Sequence, residues 1–488
     1  MPQTPEQRIR ASNSAAENPD GRYVIYWMTA ARRSSWNYGL QRAVERARDL
    51  GKPLVVLEAL RCDYPWASDR FHAFVIGGMR DNAAAFEGSP VRYLAYVEPS
   101  PGAGRGLLEA LAASACLVVT DDYPAFFLPR MMLAAGARLS VRLEAVDSNG
   151  ILPLSVPGRT FSTAHSFRRF LQKNLRPWLE EAPLPDPVRE LRIPPAGDLV
   201  DDVVVRWPPL SHTQLASPSE LIGSLPIDHS VSATEAAGGP AAAQGRLASF
   251  LNDRLARYAE ERNKPALDAT SGLSPYLHFG HISAHQAGRE LLDSEGWSPA
   301  SLSGDIQGSR SGWWGVSANA EAFLDQIVTW RELGFNMAHR ESDYDRYESL
   351  PDWARRTLAE HAEDRREYTY ELDQFEAAET HDELWNATQR QLVRDGIVHN
   401  YLRMLWGKKV FEWSESPEAA LAVMIELNNK YALDGRDPNS YSGIFWCLGR
   451  YDRAWGPERP IFGKIRYMSS ANTARKHRVT EYLQRYSA

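Results

Sequence analysis

Five short apolar runs alternate with helix-type segments over the first 147 residues, and this alternation restricts the fold more than any other feature. The runs occupy residues 22–29 (RYVIYWMT), 53–60 (PLVVLEAL), 92–97 (RYLAYV), 116–120 (CLVVT) and 141–147. Between them, residues 34–50, 71–86, 106–113 and 129–137 read as helices; in the first, Leu40, Ala43, Val44 and Ala47 share one side. Strands that are apolar on both faces must be covered twice, and the intervening helices supply the cover. The pattern therefore specifies a parallel, doubly wound α/β domain. No GxGxxG follows the first run, so a dinucleotide site of the usual kind is not signalled. Asp121, Asp122 and Tyr123 close the fourth run, where open α/β sheets collect ligands; no contact is assigned to them.

A chain of 488 residues is too long for one small core. Residues 1–20 are polar and are expected to form a flexible lead-in without a signal core. The α/β domain is placed at 21–182, where 162–179 reads as a further helix. A Pro- and Ser-rich connector with short helices follows at 183–240. A mostly helical domain is expected over 241–488. Cys62, Cys116 and Cys447 lie far apart with no CxxC pair, which argues against disulfides or structural zinc and points to a reducing cytoplasm. No run of eighteen apolar residues is present, so no membrane span is expected. The net charge of −7 does not announce a polyanion binder, but the tail is different. From Arg436 onward, ten Lys and Arg face four acids, enough for a local phosphate-binding surface.

The stretch 385–446 holds the densest chemistry. Residues 395–411 read as a helix that 414–417 ends. Arg403 and Trp406 sit three apart on one face, and Trp413 lies two turns further on. Asn428, Asn429, Asp434 and Asp437 follow a second helix. Core packing explains any single Trp, but fifteen in one chain are many, because a buried indole needs a partner for its N–H. The strings THDELWNATQ, YLRMLWGKKVFEW, LNNKY, LDGRDPNSYSGIFW, DRAWG and IFGKIRYMS resemble, in order and spacing, the catalytic domain of class II cyclobutane pyrimidine dimer DNA photolyases. Weaker similarity runs over most of the chain.

The resemblance implies a Rossmann-like α/β domain, often carrying an antenna chromophore, followed by a helical FAD-binding domain. It implies light-driven splitting of pyrimidine dimers in DNA, by a monomer, with a deazaflavin-type antenna. The segment TSGLSPYLHFG would hold the FAD diphosphate through Thr270, Ser271, Leu273 and Ser274, with Tyr258 upstream. A Thr-Ser-Gly turn entering a helix is a weak anion signal by itself. Asn428 would face flavin N5, and Arg403 with Asp434 would form the ion pair beside the ring. Trp406, Trp385 and Trp413 would relay electrons to the flavin, with Trp413 as the exposed end. Trp330, Met404 and Trp446 would line the lesion pocket, and Arg466 would enter the duplex. Gln326 stands where the family has Glu. An amide can pair with a pyrimidine edge but offers neither charge nor a carboxyl proton. Asp325 beside it points about 100° away on a helix. Trp313 and Trp314, in the Gly/Ser-rich stretch 295–320, are expected to anchor that loop.

Two rival readings share parts of this pattern. A cryptochrome-like light sensor would keep the flavin and relay, and Gln326 favours it; Trp330, Met404, Trp446 and Arg466 oppose it. A dark flavin oxidoreductase would need a hydride-donor nucleotide site, and none is visible.

Overall fold

A computed structural model describes residues 3–488. The chain divides into two compact units: residues 1–158, 175–247 and 273–291 form the first, and 159–174, 248–272 and 292–488 the second.

The first unit is built on one mixed sheet. Its strands are β1 (Ile9–Ala11), β2 (Tyr23–Met28), β3 (Leu54–Leu60), β4 (Arg92–Val97), β5 (Ala115–Asp121) and β6 (Leu143–Val146), in the order β1-β6-β5-β2-β3-β4. Strands β2 to β6 pair in parallel, as the buried runs require. β1 was not foreseen. Residues 1–20 were expected to be a flexible lead-in, yet Ile9–Ala11 pairs antiparallel with β6 and closes that edge. Just before it, buried Arg8 donates to the carbonyls of Asp147, Gly150 and Ile151. A polar segment can thus be ordered by backbone pairing and one buried cation, neither of which shows in hydropathy.

Helices α1 (Tyr38–Leu50), α2 (Asp69–Phe86), α3 (Leu107–Ala112) and α4 (Leu128–Gly136) connect the strands. Alternate residues of β2 feed two cores: Tyr23, Ile25 and Trp27 pack with Leu107 and Leu111, whereas Val24, Tyr26 and Met28 pack with Leu40, Val44 and Ala47. The stretch expected as a connector belongs to this unit. Leu215, Ile222 and Leu225 join the core beside Val75 and Met79, and the Trp207 indole N–H donates to the Ala103 carbonyl at 2.8 Å.

Strand order reverses at β2, the place where such sheets bind ligands. Here the chain fills that position itself. Asp121 Oδ2 accepts from the backbone N–H groups of Thr29, Ala30 and Ala31 at 2.7–3.0 Å, and Oδ1 accepts from the Tyr26 hydroxyl at 2.7 Å. Donors that would hold a phosphate are satisfied by an internal carboxylate, which accounts for the missing glycine motif.

The second unit is helical. It contains α5 (Ala164–Asn174), α6 (Ala318–Leu324), a π-helical turn (Asp325–Trp330), α7 (Arg331–Arg340), α8 (Glu383–Asp395), α9 (Asn400–Trp413), α10 (Pro417–Tyr431) and α11 (Pro438–Trp446). The single helix expected over 395–411 is broken. Gly396 takes a left-handed conformation (φ 67°) that ends α8, and α9 restarts behind His399, whose ring accepts from the Tyr401 N–H. α9 packs on α8, α10 and α11, and α7 packs on α11. Gly334 permits the α7–α11 crossing, because a Cβ there would lie 2.7 Å from Ser442 Oγ and 2.8 Å from the Pro438 carbonyl. Among the described residues no helix is long and apolar enough to cross a membrane, and all three cysteines are free and buried.

Candidate active site

α8, α9, α10 and α11 bring half of the candidate residues of the second unit onto one packed bundle. Trp385 comes from α8; Arg403, Met404, Trp406 and Trp413 from α9; Asn428 from α10; and Trp446 from α11. The tryptophans fall into two physically different sets.

Trp385, Trp406 and Trp413 form a contiguous buried chain. The Trp385 and Trp406 rings lie 6.3 Å apart at 8°, and Trp385 meets Trp413 at 6.1 Å and 68°. The Trp385 indole N–H donates to the Trp406 carbonyl at 3.0 Å, and that of Trp406 donates to Gln389 Oε1 at 2.9 Å. The expectation that Trp413 is the exposed end is corrected, because its exposure is only 4%. Tyr370 and His381 cover it, with ring centroids 5.9 and 4.8 Å away, and Tyr368, 40% exposed, stacks on His381 at 3.7 Å. The aromatic path reaches solvent one layer later than three tryptophans suggest.

Trp330 and Trp446 are half-buried, as are Gln326, Met404 and Arg466. Among the described residues none accepts from the Trp330 or Trp446 indole N–H, and none pairs with the Gln326 amide. This is the surface of a site with polar groups to spare, not of a packed core. Gln326 and Trp330 lie in the π-helical turn, a distortion common at functional sites. Asp325 is buried and held by Arg168 at 2.8 Å, so it does not substitute for Gln326. The Met404 methyl lies 3.6 Å from a Cβ position on Gly443, which puts it beside α11 and Trp446.

Arg403 Nη2 donates to Asp434 Oδ1 at 2.8 Å across a largely buried pair. Asn428 is buried; its Nδ2 donates to Ser440 Oγ at 2.8 Å and to Asn429 Oδ1 at 3.3 Å. No described residue donates to Asn428 Oδ1. Tyr258 is buried against Phe250 and Phe323, and burial raises its phenol pKa. Thr270 and Ser271 end one segment of the second unit; Leu273 and Ser274 open one of the first, where a short helix Ser274–His278 begins behind Gly272 (φ 66°). The donor set of the second unit fits a flavin. A paired cation suits a ring that carries negative charge when reduced, and the Asn428 amide oxygen, which accepts from no described residue, suits a ring N–H.

Trp313 and Trp314 are buried, and the backbone N–H groups of Gly312, Trp313 and Trp314 all donate to the Glu321 carboxylate. The loop is anchored, as expected. Arg436 and Arg450, counted with the basic tail, are 2% and 3% exposed; Arg450 donates to the Tyr344 carbonyl. The exposed cations are Arg453, Arg459, Lys464, Arg475, Lys476, Arg478 and Arg485. A cavity of about 730 Å³ in the first unit, lined by Arg42, Glu45, Arg142 and Glu144, contains none of the candidate residues, and its ion pairs leave little for an apolar ring. Sequence reasoning missed Gln389, Ser440 and Lys408, each buried polar and in contact with a candidate element.

The chain is 33% identical to the deoxyribodipyrimidine photo-lyase of Methanothermobacter thermautotrophicus over 485 residues, covering 98% of both chains. The chain belongs to the deoxyribodipyrimidine photo-lyase family. The photo-lyase of Oryza sativa subsp. japonica is 34% identical over 98% of this chain and 89% of its own. No protein-family model matches. Among solved structures, a class III photolyase from Agrobacterium tumefaciens aligns over 97% of this chain and 88% of its own, with a TM-score of 0.66 at 17% identity. A Synechocystis cryptochrome aligns over 95% of this chain and 88% of its own, at 0.63 and 14%. At such identities both likenesses speak for the fold of photo-lyase family members and not for activity.

Proposed function

We propose that this photo-lyase family member splits cyclobutane pyrimidine dimers in DNA under blue light, as a class II enzyme. Excited, reduced FAD supplies the electron that weakens the dimer ring. The rest is done by the protein. Tyr258, Thr270, Ser271, Leu273 and Ser274 hold the cofactor. Arg403 keeps a positive charge beside the ring while Asp434 keeps that charge paired, and Asn428 presents its amide oxygen at N5. Trp413, Trp385 and Trp406 would carry electrons inward, with Tyr370, His381 and Tyr368 between Trp413 and solvent, to restore the reduced state. The lesion leaves the helix, as base-acting enzymes require, and packs against Trp330, Met404 and Trp446 with Gln326 at a pyrimidine edge. Arg466 fills the gap in the duplex, and the exposed C-terminal cations grip phosphates. The proposal extends to a deazaflavin-type antenna and to a monomer acting in the cytoplasm.

What supports this reading most is the contrast between the two tryptophan sets: one closed, stacked and hydrogen-bonded, the other half-open with unused donors. The sensor alternative retains Gln326 in its favour, but the relatives at 32–34% identity over nearly the whole chain are named photo-lyases. The test is to incubate reduced protein with a dimer-containing oligonucleotide in blue light and in darkness. Restored pyrimidines in light alone are expected. No restoration in light, with the flavin still photoreduced, would favour the sensor.

A further inference from the structure

Lys408 has a position that packing does not explain. It lies on α9, one turn beyond Met404, and its side chain is fully buried. Its ammonium donates to the Cys447 carbonyl at 2.7 Å, and no carboxylate among the described residues lies within ion-pair distance. The charge sits 5.0 Å from the centre of the Trp446 ring. Arg466 lies 5.1 Å from the same ring but is itself held by Asp452 at 3.1 Å. An ammonium taken out of water and given one carbonyl costs stability, and an apolar side chain of similar length would avoid that cost. Charges kept at such a cost are found where a site needs them.

We propose that Lys408 is a positioning residue for repair: a fixed cation behind the Trp446–Met404 wall that favours arrival of the electron on the lesion. The proposal rests on the pocket reading given above. It places a positive charge beside a lesion that becomes negative, which the neutral Gln326 amide does not do. With reduced FAD bound, one electron would pass to the dimer, two ring carbon–carbon bonds would break, and the electron would return to the flavin, leaving no net change in oxidation state. Lys408 keeps its proton throughout and acts through space and through Trp446, as a charge preorganised where negative charge develops.

Burial lowers the Lys408 pKa to about 8, so mild alkali removes the charge. The other groups facing it are Cys447, Asp452 and Arg466, and burial pushes the Cys447 thiol up to about 11, above that range.

The test uses the FAD-loaded, reduced enzyme and its Lys408→Met variant, with repair per absorbed photon measured at saturating dimer oligonucleotide between pH 6.5 and 9.5. The wild type should lose yield with a midpoint near pH 8. Lys408→Met should be lower by roughly tenfold, equivalent to about 1.4 kcal/mol of lost charge stabilisation, and flat with pH. Its affinity for dimer DNA in darkness should be unchanged, and its melting temperature should not fall. An unchanged yield in Lys408→Met overturns the proposal. Should Lys408→Met fail to fold, Lys408→Gln, which keeps a donor for the Cys447 carbonyl without the charge, takes its place. Trp446→Ala separates the two levels. If it leaves dark affinity for the dimer unchanged, the pocket reading falls and the proposal with it. If it weakens binding while Lys408→Met retains full yield, only the role of Lys408 falls.

Discussion

Replacing Asp434 by Ala strands the Arg403 guanidinium. The two side chains are 16% and 12% exposed and meet at 2.8 Å, so the pair is charge-assisted and poorly hydrated. At an effective dielectric near 20, charges about 4 Å apart attract by about 4 kcal/mol. Removing one member of a fully buried pair costs about 3–5 kcal/mol, and the remaining exposure places this pair at the lower end. Asp434→Ala should therefore lose about 3 kcal/mol. Arg403→Met/Asp434→Ala should lose less than Asp434→Ala alone, because no charge is left unpaired; the coupling should be about 2 kcal/mol. The assay is urea denaturation of flavin-free protein, which keeps cofactor binding out of the measured stability, with the slope checked for constancy. Flavin retention is measured separately. A loss under 1 kcal/mol in Asp434→Ala, or additive effects in the double variant, would refute the reasoning that this pair is a buried charge held for the cofactor.

Other consequences are equally concrete. Trp406→Phe should abolish photoreduction of bound FAD while leaving flavin content intact, by absorbance under blue light; unchanged kinetics would remove Trp406 from the relay. Gln326→Glu should raise repair per photon, because the neighbouring Asp325 is committed to Arg168 and cannot supply the carboxyl; a fall would mean the pocket is tuned to the amide. Burial lowers the pKa of His72 to about 4 and of His281 to about 3, below the ordinary 6.5. The unfolded chain then binds protons that the folded one refuses, so stability should fall as pH drops below about 6.5, by at most about 1.4 kcal/mol per pH unit for each His. Melting temperatures of wild type and His72→Gln should converge between pH 6.5 and 4; parallel curves would contradict this.

Legibility in the sequence followed the strength of local signals. The five parallel strands were readable because each is buried on both faces over most of its length and so is mainly apolar. β1 was not, because its place is set by backbone pairing with β6 and by Arg8 reaching three carbonyls. The break between α8 and α9 is a backbone event at Gly396; apolar spacing runs across it and concealed it. The family resemblance singled out the tryptophans, the Arg403–Asp434 pair and Asn428, but it could not say which indoles are closed and which are half-open. That distinction depends on Gln389, Tyr370 and His381, which approach from other segments. Lys408 was hidden in plain view: in the string GKK it reads as a solvated charge, and only the approach of Cys447 and Trp446 shows one lysine to be fully buried.

Light absorbed by the bound flavin is proposed to drive the splitting of a dimer bound at Trp330, Met404 and Trp446. The most direct measurement is an action spectrum of repair, taken on the reduced, FAD-loaded protein with dimer-containing DNA. Repair per incident photon should follow the absorption of the bound reduced flavin, and should vanish when the flavin is removed and return when it is restored. Repair that proceeds in darkness, or that persists in protein stripped of flavin, would contradict the account.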